Sequence, residues 1–292
     1  MSGRGARRER RVALLVLLAL AALWQGLSMV FTAEAQPGEP MMPGWQILFT
    51  RTFVAMSDYF QGGFGVTPVS EGGARGYTAA LLSLLDNSAD TLLRLALGWL
   101  AGAVGGALLG LAVSWSAWSR RLVELPAQFL RTLPLLAMVP LFQLWFGSSF
   151  TGKVVFVAYG VGVLFFAGVV NAVANVPQIY IDNARTLGAR RLRLYLTVVL
   201  PAILPELRAT MLFSLGAGWA AVLGAEYLGA QSGLGYIIVF AQQFAYLDRM
   251  FLVALLVIVY TSLSFAAIDS LTAWATRWSA GGARARQAVG DI

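Results

Sequence analysis

Neither cysteine nor histidine occurs anywhere in the 292 residues. Their absence excludes disulfides, thiol nucleophiles, imidazole general bases and most zinc or iron centres together. Charge is scarce too: Asp, Glu, Lys and Arg make up 12% of the chain. No cofactor site is expected, and with no clustered carboxylates in the apolar runs an enzyme is the weakest reading. What is present is apolar. Hydrophobic residues account for 58% of the sequence and the mean hydropathy is +0.71. No ordinary soluble domain is that apolar, so the chain reads as an integral membrane protein. Its net charge of +7 comes from arginines lying between apolar runs. There they report membrane topology, and no nucleic-acid partner is expected.

A bilayer-spanning helix takes about 20 mostly apolar residues. Six segments qualify: 12–33, 90–115, 127–146, 153–174, 207–228 and 250–274. The expected fold class is all-α integral membrane, with six transmembrane helices. The expected organisation is a tail (1–11), a first transmembrane helix (12–33), an outer segment (34–89), a five-helix core (90–276) and a second tail (277–292), disordered and solvated from Ala280 on. RGARRERR, then VALLVLLALAALW, then Ala33-Glu34-Ala35 has the layout of a cleaved signal peptide. The apolar run continues through Phe31, however, which favours a retained helix. In the outer segment, GWQILFTRTFVAMSDYFQ (44–61) reads as an amphipathic helix on the membrane surface. The glycine-rich 62–76 reads as a flexible insertion.

Alternate connections carry very different positive charge. One side takes fifteen arginines, in the clusters 4–11, 120–121, 185–208 and 277–286. The other takes four residues: Arg51, Arg75, Lys153 and Arg249. The positive-inside rule then puts both termini in the cytoplasm. This bears on GSSFTGKV (147–154), which fits a phosphate-binding loop G-x-x-x-x-G-K until Val154 stands where a magnesium-holding Ser or Thr is needed. The stretch is expected to be a short turn on the outer face, and the match to be chance.

Several features within the spans invite a role. Gly98, Gly102, Gly106 and Gly110 line one face of the second span, and Gly216, Ala220 and Gly224 line one face of the fifth. Such stripes serve close helix packing, either inside one subunit or between subunits. Pro134 and Pro140 in the third span deprive the carbonyls of Leu130 and Leu136 of helical partners. A kinked pore-lining helix and a merely bent one both fit. Glu226 near the outer end of the fifth span is an intramembrane acid, with Arg94 as a conceivable partner. The two form either a structural salt bridge or a gate in the pathway.

The most informative stretch is VPQIYIDNARTLGARRLRLYLTVVLPAILPEL (176–207). Pro177 suits a helix start, and Gly188 suits a helix end. A second helix carries the stripe Leu192, Tyr195, Leu196 and Val199, and Pro201 and Pro205 are expected to stop it. Two short amphipathic helices joined at a glycine make either a docking element or an interfacial hairpin that holds anionic membrane lipid.

DNARTLGARRLRLYLTVVLPAILP (182–205) resembles the EAA loop of ABC importer permeases. FLRTLPLLAMVPLFQLWFG (129–147) and AEYLGAQSGLGYIIVFAQ (225–242) extend the likeness to the nitrate/sulfonate/taurine/bicarbonate group. In place of Glu-Ala-Ala stands Asp182-Asn183-Ala184, which keeps a shorter acid, and Gly188 is retained. The resemblance implies a cytoplasmic coupling hairpin in which Asp182, Ala184, Gly188, Ala189, Leu192 and Tyr195 contact separate ATPase subunits. It also implies an extracytoplasmic solute-binding protein, a permease homodimer in a prokaryotic inner membrane, and a small anion as solute. The rival class is a carrier driven by ion gradients. That class usually shows internal repeats of broken helices, and none is visible in the sequence.

Overall fold

The computed structural model describes residues 3–277, so the expected tail 277–292 lies, beyond Arg277, outside the described residues. In chain order the elements are α1 (Gly3–Val30), a small antiparallel hairpin β1 (Glu34–Gln36) and β2 (Glu39–Pro40), and a helical stretch α2 (45–59). Next come α3 (Tyr77–Ser114), α4 (Ala117–Thr132), α5 (Val139–Phe146), α6 (Phe150–Ala174) and α7 (Gln178–Thr186). The series closes with α8 (Arg191–Tyr227), α9 (Leu234–Gln243) and α10 (Leu247–Ala275). Among the described residues five helices are long and apolar enough to cross a membrane: α1, α3, α6, α8 and α10.

The sixth expected span, 127–146, is not one helix. Leu133, preceding a proline, takes an extended conformation (φ −66°, ψ 125°) and ends α4. A 3₁₀ turn (Leu135–Met138) follows Pro134, and α5 begins with Pro140 in its first turn, where no amide hydrogen is required. The two prolines therefore stop one helix and start another rather than kinking a single rod. The Leu136 carbonyl, expected to be orphaned, accepts the Val139 N–H.

Pro201 and Pro205 do the opposite of what was expected. The helix that starts at Arg191 continues through a π turn (Tyr195–Val199) and on to Tyr227. The π turn shifts backbone bonding by one residue and delivers Pro201 to the first turn of the next α segment, where its missing donor costs little. Pro205 stays inside the helix.

The chain divides into two compact units. The first holds the residues up to 88 together with 236–257. Its α1 presents Leu14, Leu17, Leu18 and Leu23 without protein cover, as a lipid-facing helix does. Its C-terminal end is tied down. Trp24 packs edge-on to Phe251 at 4.8 Å and donates to the Pro43 carbonyl (2.9 Å), while the Gln25 side chain accepts the Trp45 N–H that opens α2 (3.0 Å). The amphipathic helix forms as the pattern predicts. However, Leu48, Thr52 and Met56, spaced by four, are buried in protein, so α2 is docked on its apolar side.

The second unit holds 89–235 and the residues from 258 on. At one end of its core Val169 and Ala172 of α6 pack with Val199, Ile203 and Leu207 of α8. The glycine stripe of α3 settles its alternative: it packs against α6 of the same chain. A Cβ on Gly98 would lie 2.6 Å from that of Val157, and one on Gly102 would lie 2.5 Å from the Ala158 carbonyl oxygen. One on Gly106 would come closer still to the Gly162 carbonyl. In α8, a Cβ on Gly224 would sit 2.6 Å from the Leu136 side chain, so the segment after Pro134 rests on that glycine.

Candidate functional site

Two places in the second unit gather the residues singled out by sequence. The first is built around Glu226, whose exposure is 0%. Asp90, Thr91 and Arg94 sit within one turn of α3, and Arg94 is 4% exposed. The Arg94 guanidinium donates through Nη1 to Glu226 Oε1 (2.6 Å) and to the Ser232 carbonyl (2.9 Å). Through Nη2 it donates to Asp90 Oδ2 (3.0 Å) and Ser232 Oγ (2.7 Å). The Phe150 ring lies 5.3 Å from the guanidinium carbon.

The carboxylate is satisfied from its other side as well. Thr91 Oγ1 donates to Glu226 (2.9 Å to Oε2) and in turn accepts the Leu234 N–H (2.8 Å). The Gly235 N–H donates to Oε2 at 3.0 Å. The loop between α8 and α9 thus folds over a buried anion, and the Gly235 amide in the first turn of α9 closes onto it, as helix N-termini do. This accounts for the run QSGLGY. Gly233 sits at φ +107°, and a Cβ on Gly233 or Gly235 would come within 2.5 Å or 2.6 Å of Glu226. A buried ion pair this well bonded is costly to break, about 3–5 kcal/mol if one partner is removed.

The sequence pairing of Arg94 with Glu226 is present. Asp90, Thr91, Ser232 and the two glycines were missed, although Asp90 and Arg94 stand at the i, i+4 spacing of a helical ion pair. Pro134 and Pro140, grouped with them as pathway residues, shape the 3₁₀ turn. That turn sets Leu135 against Gly160 and Leu136 against Gly224.

The second place is the hairpin of α7 and the start of α8. Helix α7 ends in a Schellman arrangement: the Gly188 N–H bonds the Arg185 carbonyl (2.9 Å) and the Ala189 N–H bonds the Ala184 carbonyl (3.0 Å). Gly188 takes φ +77° to make this turn, with nothing within 4 Å of where a Cβ would be. Asp182 is exposed, accepts from Gln178 Nε2 (3.1 Å) and lies 3.7 Å from Arg185. Leu187 is 88% exposed, and Ile179, Leu192 and Leu196 are also uncovered. Tyr195 points elsewhere. Its hydroxyl donates to the Ser114 carbonyl (2.7 Å) and its ring lies 4.7 Å from Trp115, so it braces the hairpin on the end of α3. Arg191 lies over the same Trp115 ring and donates to the Trp115 carbonyl.

The phosphate-loop look-alike is a helix start. Gly147 (φ +68°) ends α5, and Ser149 caps α6 by accepting the Gly152 N–H (3.1 Å). A helix, not a strand, precedes it, which removes the context that a nucleotide loop needs.

Residues 102–278 match the family model described as the binding-protein-dependent transport system inner membrane component. The chain belongs to this family. As a binding-protein-dependent permease component it has relatives of related names. A Bacillus subtilis protein named as an aliphatic sulfonates transport permease, SsuC, is 34% identical over 55% of this chain and 58% of its own length. The Escherichia coli taurine transport system permease protein TauC is 30% identical over 60% of this chain and 63% of its own. The chain thus spans about three fifths of the length of these curated relatives. Among solved structures, the MetNI methionine ABC transporter in an inward-facing form aligns with TM-score 0.54 and 23% identity, covering 63% of this chain and 91% of that one. A bacterial ABC transporter for import of the acidic polysaccharide alginate aligns with TM-score 0.54 and 13% identity over 92% of this chain and 98% of that one. At these identities the likeness concerns the fold. The chain is an integral membrane member of this family, with five apolar helices among its described residues.

Proposed function

We propose that the chain forms half of the translocation pathway of an ATP-driven importer. In this reading the membrane is crossed six times: by the five long helices, and by α4 and α5 acting together as two half-helices across the break at Pro134. Both termini then face the cytoplasm, and so does the hairpin of α7 and α8. Two copies of the chain, two separate ATPase subunits and an extracytoplasmic binding protein complete the machine. The solute is a small anion, with sulfonates favoured by the names of the relatives and nitrate or bicarbonate as neighbours in the same group. Nucleotide is hydrolysed on the partner ATPase.

One observation carries this reading. The hairpin exposes apolar side chains, Leu187, Leu192 and Leu196, beside a glycine-hinged turn rich in arginine. A solvated loop would not retain such a surface, whereas a groove on an ATPase would bury Leu187 and Leu192 as anchors. Asp182, Ala184, Gly188 and Ala189 shape the turn, and Tyr195 fixes its angle from within the chain. The test is Gly188→Val beside Asp182→Lys in proteoliposomes that hold the full transporter. Since no atom lies within 4 Å of a Cβ at Gly188, valine perturbs only the left-handed turn, at a cost of about 1–2 kcal/mol. Both variants should insert normally, and ATP hydrolysis should no longer drive uptake. Full uptake in both, or uptake that survives removal of the ATPase and follows an ion gradient, would refute the proposal.

A further inference from the structure

The first unit contains a polar cavity of about 500 Å³ that none of the foregoing uses. Its wall includes Glu39, Arg51, Arg75, Tyr246, Asp248 and Arg249. The residues come from β2, α2, the 62–76 insertion and the start of α10, all within one unit.

Each charged wall residue is fixed by part of its polar head. Asp248 is 3% exposed; its Oδ2 accepts from the buried Thr52 hydroxyl (2.6 Å), while its Oδ1 finds no donor among the described residues. Glu39 receives Arg51 on Oε1; its buried Oε2 also finds no donor there, and the Asp248 carboxyl lies within hydrogen-bonding reach of the Glu39 side chain. Burial and the neighbouring Asp248 carboxylate push the Glu39 carboxyl above the usual carboxylate range. Two buried carboxyl oxygens that face each other call for a donor between them.

The cationic side is complementary. Arg75 holds Asp58 through Nε (2.7 Å) and Nη2 (3.0 Å), and Arg249 reaches the same carboxylate (3.1 Å) with the Tyr246 ring 4.1 Å away. Arg51 also donates to the Gly38 carbonyl at 2.6 Å. The Arg51 and Arg75 side chains are 56% and 58% exposed and use only part of their five N–H donors. The three arginines balance Glu39, Asp58 and Asp248, so a guest of net charge suits the cavity less well than one carrying both signs.

We infer that this cavity is a binding site for a small zwitterion, such as a short amino acid. Its ammonium group bridges Glu39 Oε2 and Asp248 Oδ1, and its acidic group meets the free N–H donors of Arg51 and Arg75. An ammonium supplies three donors to a site that lacks donors. The site is separate from the coupling hairpin and does not depend on which side of the membrane the hairpin faces.

The test is thermal unfolding of the full chain in lipid nanodiscs with glycine, β-alanine, propionate or propylamine. A zwitterion at about 100 times its dissociation constant should raise the melting temperature by about 5 °C or more. Propionate and propylamine, each with one end only, should bind at least about tenfold more weakly. Asp248→Asn, whose amide supplies a donor to Glu39, should abolish the shift, and Glu39→Gln in the more accessible hairpin should do the same. If neither zwitterion shifts the melting point, the two carboxyl groups merely share a proton and the inference is overturned. Equal shifts from propylamine and β-alanine, or a shift that persists in Glu39→Gln, would overturn it too.

Discussion

Replacing Glu226 by glutamine changes one atom and most of the electrostatics around it. In the native chain Oε1 receives Arg94 at 2.6 Å, and Oε2 receives Thr91 and the Gly235 amide at 2.9 and 3.0 Å. A glutamine keeps a single acceptor oxygen. If that oxygen stays with Arg94, its NH₂ confronts the Gly235 N–H; if it turns to Gly235, the NH₂ confronts the guanidinium. Either way a buried donor loses its partner, and the Arg94 charge keeps only Asp90, whose side chain is 37% exposed. Breaking a buried pair costs about 3–5 kcal/mol, and the surviving Asp90 contact argues for the lower end, about 3 kcal/mol. For a chain of this size that corresponds to a fall in melting temperature of about 6–12 °C. Thermal unfolding of the purified chain in detergent, read by tryptophan fluorescence, measures it. A cycle with Arg94→Met should return a coupling above about 1 kcal/mol, because the double variant no longer buries a lone charge. If Glu226→Gln melts within about 1 kcal/mol of the native chain yet transports nothing, the lock is not structural. Glu226 would then belong to the pathway.

Gly106→Val drives two methyl groups into the Gly162 carbonyl and the Phe165 Cβ, both backbone-anchored parts of α6. Membrane accumulation should fall well below that of Gly105→Val, since Gly105 has nothing within 4 Å of a Cβ; quantitative immunoblotting of membranes checks the pair. Tyr195→Phe removes one hydrogen bond to the Ser114 carbonyl while keeping the ring on Trp115. The stability loss should be about 1 kcal/mol, with insertion unchanged, and chemical denaturation in detergent reads it.

Hydropathy alone located the apolar part of each of the five long helices among the described residues, because a lipid-facing segment such as α1 must be apolar on all sides. It failed where backbone bonding decides. A proline marks a kink, a stop or a start according to the carbonyl four residues back, and periodicity carries no record of that carbonyl. Hence Pro134 and Pro140 separate two helices that read as one, whereas Pro201 and Pro205 lie in a helix that read as two. The pairing of Arg94 with Glu226 was legible because charges in an apolar run must find each other. Thr91, Ser232 and the Gly235 amide were not, since a hydroxyl or a backbone amide looks the same in any span, and the Thr91 and Ser232 contacts join residues well over a hundred positions apart. Gly188 was readable from its spacing alone, for few other residues accept its φ of +77°. Tyr195 shows the limit of stripe reasoning. It falls on the apolar face by count, yet a turn of altered pitch and the nearby Trp115 claim it for the chain's own interior.

The uninterrupted course of α8 has a mechanical consequence. From Arg191 to Tyr227 it spans 37 residues, a rod of about 55 Å with no loop along it. In the proposed importer, thrust applied at its hairpin end would emerge beside Glu226 as translation or roll. The one compliant point is the π turn, where slipping the register by a residue would rotate everything beyond it by about 100°. In that reading the helix would work as a crankshaft, with the carboxylate clasped by Arg94 as its bearing.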